Sequence, residues 1–570
     1  MLTSKAFSDI ITFSRSSNAT RIGPTGLVEY APHNLVQRSQ EFENAYWTKG
    51  NASITANAVA APDGTITADK VVENTASDAH IVYQGFTASA ITYTFSVYIK
   101  AGERSWAIMR LDTGVNELVS FNLSNGTIGT VAAGYTAAIT AAGNGWYRCS
   151  VTRTLTAATW YTVVSVSNAD NVQSYTGDGT SGIYLWGAQL SVGPYPLDYT
   201  PTTSAAVYGP RFDYDPVTLA ARGLLVEESR TNLLRYSEQF DNAAWGTQQT
   251  SISANSGIAP DGTNNADKLI ADTSNASHSL FQLVNGTADV YHTFSCYVKK
   301  AGHRYAGLYV DTGGGNLGGI IIDLDTGLSS ATAASGQGVY LSSSVQALSN
   351  GWYRLILTGK FTSTNAYYFH IDLTNGFSFN AFSGNNTDGI LIWGAQAEAG
   401  SFATSYIPTL ASSVTRSADV ASVNTLSPWH NSVEGTLYAE GNFIDPASST
   451  SKGIATLVDN SAGNDSISIF GISSSNVKQE VLVGGASQAS FTLGYSSNVK
   501  AATVYKANDT NAAVNGTTGT TDTSCTVPTV AKLQLGGIYN GTSFQLNGWL
   551  RRVAFYPRRL LDAEIQALTS

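Results

Sequence analysis

The side chains with most to offer a ligand are aromatic. Trp106, Tyr135, Trp160 and Tyr161 stand outside the core motifs of the first third of the chain, and Tyr305, Tyr309, Tyr340, Tyr367 and Tyr368 are their rough counterparts further on. An exposed ring offers a flat apolar face on which the apolar side of a pyranose can stack, while flanking amides and carboxylates take its hydroxyls. Such rings also serve as core or rim packing, and for any single one of them packing is the commoner role. Six other tryptophans, Trp47, Trp146 and Trp186 with Trp245, Trp352 and Trp393, recur inside fixed motifs and read as core.

Four carboxylates recur as well, Asp63 and Asp69 returning as Asp261 and Asp267. They are the best acidic candidates for holding a cation, but Pro-Asp-Gly is a turn signature in itself and the turn reading comes first. No EF-hand loop, HExxH or CxxC occurs, which argues against a transition-metal site. For catalysis the pattern is poor. Glycoside hydrolysis needs two carboxylates about 5–10 Å apart. The adjacent pair Glu227-Glu228 lies in a strand-like stretch that sends its side chains to opposite faces. The 7 histidines form no triad pattern and there is no G-x-S-x-G. The chain is expected not to be an enzyme.

These residues are carried by a duplicated module. Asn34 to Trp47, NLVQRSQEFENAYW, returns as Asn232 to Trp245, NLLRYSEQFDNAAW, 198 residues on. Ala68-Asp69-Lys70 returns as Ala266-Asp267-Lys268 at the same offset, and Gly145-Trp146-Tyr147-Arg148 returns as Gly351 to Arg354. Trp186-Gly187-Ala188-Gln189 returns as Trp393 to Gln396, by which point the offset is 207. Drift of that kind marks small loop insertions on a preserved scaffold. A unit of about 170 residues is of domain size and too large for a solenoid repeat.

Within each copy the period is two. Tyr93, Phe95, Val97 and Ile99 alternate with smaller or polar residues, as do His292, Phe294, Cys296 and Val298. Asn144-Gly145 and Asn350-Gly351 are hairpin-turn signals. The expected fold is all-β: three antiparallel β-sandwich (jelly-roll) modules in tandem with a short C-terminal helix over Leu560–Leu568, where Asp562 caps or charges the first turn. The divisions are 1–33, a lead or attachment segment; 34–205, the first repeat; 206–231, a hairpin linker; 232–420, the second repeat; and 421–570, a different sandwich. Ile10-Ile11-Thr12-Phe13 reads as a strand, and both leads read as small hairpins that introduce the module after them. In the last module, alternation over 548–556 puts Trp549, Arg551, Val553 and Phe555 on one face.

Composition agrees. Charged residues are only 13% and aromatics 11% of the 570 residues, so Gly-, Ser- and Thr-rich stretches read as turns and not as disorder. A net charge of −10 without clustered Lys and Arg argues against nucleic acid. The 3 cysteines, Cys149, Cys296 and Cys525, fall one per module and form no disulfide framework. No apolar run reaches the ~20 residues of a membrane span, and the first residues lack the pattern of a secretory signal.

Taken together, the motifs NLL-x-YSEQFDNAAW, PDG, ADK, TFS-x-Y-[IV]-K-x-AG, GWYR, WGAQ and Y-x-PT resemble those of bacteriophage virion fibre and spike proteins with carbohydrate-binding-like jelly rolls. The stretch RFDYDPVT…RGLLVEE is similar to a lead in the same proteins. Residues 430–570 resemble a laminin-G-like or concanavalin-A-like lectin sandwich through Ala513 to Gly516, Leu533 to Gly536 and Asn547 to Ile565. A departure is Leu561, where such endings often carry Ser or Thr as the helix cap. The resemblance implies a virion surface fibre or spike, of head or tail, that attaches to its host by binding bacterial surface polysaccharide. It implies assembly in the host cytoplasm, contact with other virion structural proteins, and a homo-oligomer, a trimer by family habit. It implies no cofactor beyond a structural Ca²⁺, held by carboxylates such as the four recurring aspartates with backbone carbonyls. The alternatives are a structural capsid or tail decoration or adaptor that binds no glycan and, after it, a polysaccharide depolymerase.

Overall fold

The computed structural model describes residues 7–570 apart from 115–116, 313–314, 363–365, 445–450, 461–462, 496–497 and 539–543, so the first six residues of the lead lie outside the described residues. Among the described residues the chain is all-β apart from a helix of two turns at the C-terminal end, a single-turn helix, Phe7–Ile10, and a 3₁₀ turn, Ser349–Gly351. It divides into two compact units, Tyr30–Gly209, and Met1–Glu29 with Pro210–Ser570.

The first unit is a two-sheet sandwich. Its back sheet runs Ala52–Val59, Ala68–Glu73, Gly182–Val192, Thr92–Ala101, Trp146–Thr154, Thr136–Gly143. Its front sheet runs Ser174–Thr176, Ser77–Ala88, Ala158–Ser167, Trp106–Asp112, Val119–Asn122, Thr127–Val131, with Thr48–Gly50 also on Ser77–Ala88. The second repeat has the same plan. Its back sheet runs Thr250–Gly257, Ala266–Ala271, Gly389–Ala399, His292–Ala301, Tyr353–Phe361, Gly338–Ala347; its front sheet runs Gly246–Gln248, His278–Asn285, Ala366–Thr374, Tyr305–Asp311, Asn316–Asp323, Ser329–Ala331. The predicted alternation holds: Phe95, Val97 and Ile99, like Phe294, Cys296 and Val298, lie in the two cores. Cys149, Cys296 and Cys525 are buried free thiols, and burial pushes their ionisation up.

The recurring motifs close these sandwiches. Asn34 is buried and makes four bonds, donating to the Ala188 and Thr200 carbonyls (2.9 Å each) and accepting from the Val36 and Leu190 N–H groups (3.1 Å each). Asn232 repeats the set with Ala395, Ile407, Leu234 and Ala397. The Trp-Gly-Ala-Gln strands carry a register shift where Gly187 and Gly394 sit at φ 63°, a conformation glycine adopts without strain. A Cβ there would also press on Tyr98 and Tyr199, or on Tyr297 and Tyr406. Those tyrosines pack edge-on or tilted with Trp186 and Trp393. All six recurring tryptophans are buried.

The C-terminal sandwich recruits strands from far away in sequence. One of its sheets runs Thr12–Ser14, Val420–Val423, Lys532–Leu535, Lys452–Val458, Ser466–Gly471, Asn476–Val483, Ala486–Gly494. The other runs Arg211–Tyr214, Ala221–Val226, Gly548–Tyr556, Glu434–Phe443, Val499–Lys506, Asn511–Val514, Thr517–Thr518. The hairpins expected in the leads are present, but the hairpin over 211–226 extends a sheet of the last module, and the strand Thr12–Ser14 is an edge of its partner sheet. Ile10 ends the single-turn helix and Ile11 lies outside the strand, so only Thr12 and Phe13 of the expected strand are in one. In Gly548–Tyr556 a register shift opposite Glu440 and Gly441 breaks the alternation. Leu550, Val553 and Phe555 face the core, while Trp549 donates to Asp213 at 2.7 Å. The helix spans Asp562–Thr569. Leu561 is its N-cap, and Glu564 supplies the missing cap by accepting the Leu561 N–H at 2.7 Å. Asp562 does not cap the helix but charges its first turn, and it pairs with Arg559 and Asn511.

A buried ionic cluster ties these distant pieces together. Arg15 meets Asp419 at 2.9 Å, Arg211 meets Glu227 at 2.5 Å and also Asp419, and Arg416 meets Glu227; none of these side chains is exposed. Burial pushes the Glu227 carboxyl up, but Arg416 and Arg211 outweigh it and hold the group at about 2. Asp419 is likewise lowered against its burial by Arg211, Arg15 and Arg416. Asp419→Ala removes the carboxylate that the buried Arg15 and Arg211 guanidinium groups share and is expected to cost about 3–5 kcal/mol, read as a lower urea midpoint of the full chain. Carboxylates held below their unfolded values stabilise the fold above the unfolded pKa, 4.5 for Glu227, and lose that contribution as pH falls toward about 2. The wild-type midpoint is therefore expected to fall across that window, and more steeply than that of Asp419→Ala.

Candidate functional site

The front sheet of the second repeat presents an open aromatic face. Along Tyr305–Asp311, Ala306, Leu308 and Val310 enter the core; along Ala366–Thr374, Tyr367, Phe369, Ile371 and Leu373 do so. The period of two therefore sets Tyr305, Gly307, Tyr309 and Asp311 on the outer face beside Thr374, Asp372, His370 and Tyr368. The register pairs Tyr309 with His370 and Asp311 with Tyr368, and the next strand adds Phe281 beside His370. The rings form a continuous row: Tyr309 to His370 5.7 Å, His370 to Phe281 5.5 Å, Phe281 to Tyr368 5.9 Å between centroids. Tyr368 is 39% exposed.

A loop completes one side. Phe377 stands edge-on to Tyr305 at 5.6 Å, and Phe379 lies 5.1 Å from Tyr309. Gly307 and Gly319 make room for Phe379, because a Cβ on either would come within 2.6 Å of its ring. The polar groups of the face are few and close. Ser279 Oγ and His370 Nδ1 are 2.9 Å apart, and His370 Nε2 lies 3.7 Å from Asp311 Oδ2. Asp372, across the strands from Ser279 and Gly307, is 8% exposed. Burial raises its carboxyl to about 7, with Ser279 opposing the shift and Asp311 adding to it. Burial lowers His370 and raises the Tyr309 hydroxyl.

Of the residues singled out from sequence, Tyr305, Tyr309 and Tyr368 come together here. Tyr367 does not. As the immediate neighbour of Tyr368 it must point the other way, and it is 2% exposed in the core, stacked on Phe361. Tyr340 lies on the edge strand of the back sheet, with its hydroxyl 2.9 Å from Ser343 Oγ. In the first repeat Trp160 is 6% exposed and core-facing, which rules it out as a stacking platform, and Arg153 lies over both its ring and that of Tyr135. The Tyr135 hydroxyl donates to the Leu111 carbonyl at 2.5 Å. Trp106 and Tyr161 do stand on the outer front face, Tyr161 edge-on to Tyr83. Between them that face holds a buried Arg110–Asp112 pair at 2.8 Å, where the second repeat has Tyr309 and Asp311.

Phe281, His370, Asp311, Asp372, Phe377 and Phe379 were missed. The spacing Tyr368-x-His370-x-Asp372 was a usable signal, since residues two apart share a strand face.

The four recurring aspartates act as clasps. Asp63 accepts the Thr65 N–H (2.9 Å) and hydroxyl (2.7 Å), and Asp261 does the same with Thr263 at the same distances. Asp69 accepts from the Phe42 and Asn57 N–H groups at 2.8 and 2.9 Å, and Asp267 from those of Phe240 and Asn255 at 2.8 and 2.9 Å. Calcium needs six to eight oxygen ligands, whereas each of these carboxylates accepts two hydrogen bonds from its own turn or strand neighbours. Among the described residues no three His, Cys, Asp or Glu side chains gather around one point. The aspartates do not fit the calcium that the resemblance allowed.

No protein family and no curated protein matches the chain. Among solved structures it is similar to the Ruminococcus gnavus IT-sialidase CBM40 bound to α2,3-sialyllactose, at 14% identity over 25% of this chain and 84% of that one, with a TM-score of 0.21. It is similar to the N-terminal CBM22-1–CBM22-2 tandem domain of Paenibacillus barcinonensis Xyn10C, at 10% identity over 65% and 98%, with a TM-score of 0.22. Domains LG4-5 of the mouse laminin α1 chain follow at 10% identity over 51% and 90%, with a TM-score of 0.17. Likenesses this slight leave the function of the chain to its own surfaces.

Proposed function

We propose that this chain is a glycan-binding surface protein and that it binds with the outer front face of its second repeat. The observation that carries the reading is the row Tyr309, His370, Phe281 and Tyr368, half-open to solvent, with Asp311 beside it. Ring faces take the apolar side of a pyranose, and a carboxylate and an imidazole nitrogen within 4 Å of each other can share its hydroxyls. The matching positions of the first repeat hold a buried ion pair, which offers no such platform. The repeated motifs resemble those of phage fibres and spikes, and on that ground we place the protein on a virion surface, where it attaches to bacterial polysaccharide without cleaving it. One face holds few sugar rings, so useful avidity would come from several copies of the chain in an oligomer.

The test is binding of the purified full chain to an array of bacterial polysaccharides and to cells with and without their surface polysaccharide. Saturable binding, lost on stripping, is expected. Tyr309→Ala and Tyr368→Ala should each weaken it at least tenfold, about 1.4 kcal/mol, while Tyr340→Ala on the opposite sheet should change it less than twofold. No binding on the array, or binding indifferent to the first two changes, would sink the reading and leave a decoration or adaptor role.

A further inference from the structure

We propose that the outer back face of the first repeat is a docking surface for a β-hairpin of another protein, built like the hairpin that this chain lays over the same face of its second repeat.

The second repeat shows the seated state. In the lead, Thr20–Ile22 pairs with Val28–Tyr30 to form a hairpin. Ile22 and Val28 join Trp352, Trp393, Tyr297, Tyr406, Leu348 and Leu391 in one apolar cluster on the outside of the back sheet. Two polar contacts fix the position. The Val28 N–H donates to the Pro260 carbonyl at 3.0 Å, and the Thr20 hydroxyl donates to the Tyr406 carbonyl at 2.5 Å. The hairpin tip reaches the Pro-Asp-Gly turn, where a Cβ on Gly262 would stand 3.0 Å from Leu27. Under this cover Tyr297 is 3% and Tyr406 2% exposed.

The first repeat keeps the face and lacks the cover. The duplication puts Trp146, Trp186, Tyr98, Tyr199, Ala142 and Tyr184 where the second repeat has those six residues, and they cluster in the same way. Among the described residues, no side chain of that cluster stands in for Ile22 or Val28. Tyr98, Tyr184 and Tyr199 remain partly exposed. Among the described residues the Pro62 carbonyl, the counterpart of Pro260, accepts no hydrogen bond. A Cβ on Gly64 would meet nothing within 4 Å, and Ile66 two residues on is 68% exposed. One exposed isoleucine means little, but a contiguous apolar face with an open rim marks an interaction surface.

The occupant follows from how the chain uses its own hairpins. Each serves the module beyond the one it introduces: the first lies on the second repeat, and the hairpin over 211–226 pairs with Gly548–Tyr556 of the last sandwich. A second copy of the chain has both of its hairpins engaged in the same way, so the donor is a different protein. It must bring apolar side chains at the Ile22 and Val28 positions of two paired strands, an apolar residue at the turn in place of Leu27, and a backbone N–H for the Pro62 carbonyl.

The probe is a fluorescent cyclic peptide carrying the Thr20–Tyr30 sequence, its ends joined by a tight hairpin turn so that the strands are held paired. It is titrated against the full chain by anisotropy. Saturable binding at one site per chain is expected, with a Kd below about 1 mM. A peptide with serine at the Ile22 and Val28 positions should not bind. Ala142→Arg, on the edge strand of the face, should weaken binding by about tenfold or more. Ile66→Asp, in an exposed turn where folding is not at stake, should act in the same direction. With a photo-crosslinker in place of Leu27, adducts should fall within residues 59–68. Absence of saturable binding overturns the proposal, as does binding that ignores both substitutions. Adducts confined to residues 257–266 overturn it too, because the peptide would then only be displacing the chain's own hairpin. Self-association of the chain that Ala142→Arg abolishes, without peptide binding, would make the occupant a second copy and overturn it as well.

Discussion

Everything outside the first unit hangs on five buried charges. Arg15 comes from the lead, Arg211 and Glu227 from the hairpin linker, Arg416 and Asp419 from the exit of the second repeat. Glu398, buried nearby and held by Gln396 and Thr404, adds a carboxylate that Arg416 feels. Burying such groups is expensive, and an apolar cluster of equal volume is often as stable or more so. What apolar side chains do not supply is direction. A guanidinium has a planar fork that accepts its partners at few angles. Three such forks sharing carboxylates fix how the strand Thr12–Ser14, the hairpin over 211–226 and the strand Val414–Arg416 meet. The edge strands of the last sandwich then have one register available, a property that sheet edges otherwise lack.

The duplication separates scaffold from site. Nearly every motif that made the two repeats recognisable is structural: the Asn that bonds four backbone groups, the tryptophans in the cores, the arginine after Trp-Tyr that reaches Ser96 or Ser295, the aspartate clasps. The surface that differs between the copies is the outer front face, with Arg110, Val163 and Ser165 in one and Tyr309, His370 and Asp372 in the other. A preserved core permits that difference, since residues alternate and the outward set can change without disturbing the inward set.

This explains what sequence could reveal. Period-two runs, Asn-Gly turns and matched motifs specify local elements, so the sandwiches and the core tryptophans were legible. The pairing of Thr12–Ser14 with Val420–Val423 joins residues some 400 apart and leaves no local trace. Ring counting brought Tyr309 and Tyr368 to notice but also Tyr367 and Trp160, whose parity along the strand sends them inward. The phenylalanines of the loop at 377 and 379 have no period at all. They reach the site because Gly307 and Gly319, on separate strands, leave a hollow for one ring.

Asp372 carries the last step. It is a carboxyl placed between two strands, where the first repeat has Ser165. Burial and Asp311 both oppose its charge, so it is raised to about 7 and the fold is weakened as pH rises through that value, because the unfolded chain releases the proton more readily. A hydroxyl would satisfy Ser279 without that penalty. Packing therefore does not account for an acid at this position. A site for a ligand does: beside Asp311 and His370, Asp372 sets beneath the centre of the aromatic row a buried carboxyl that keeps its proton up to about 7 and can offer a donor or an acceptor there.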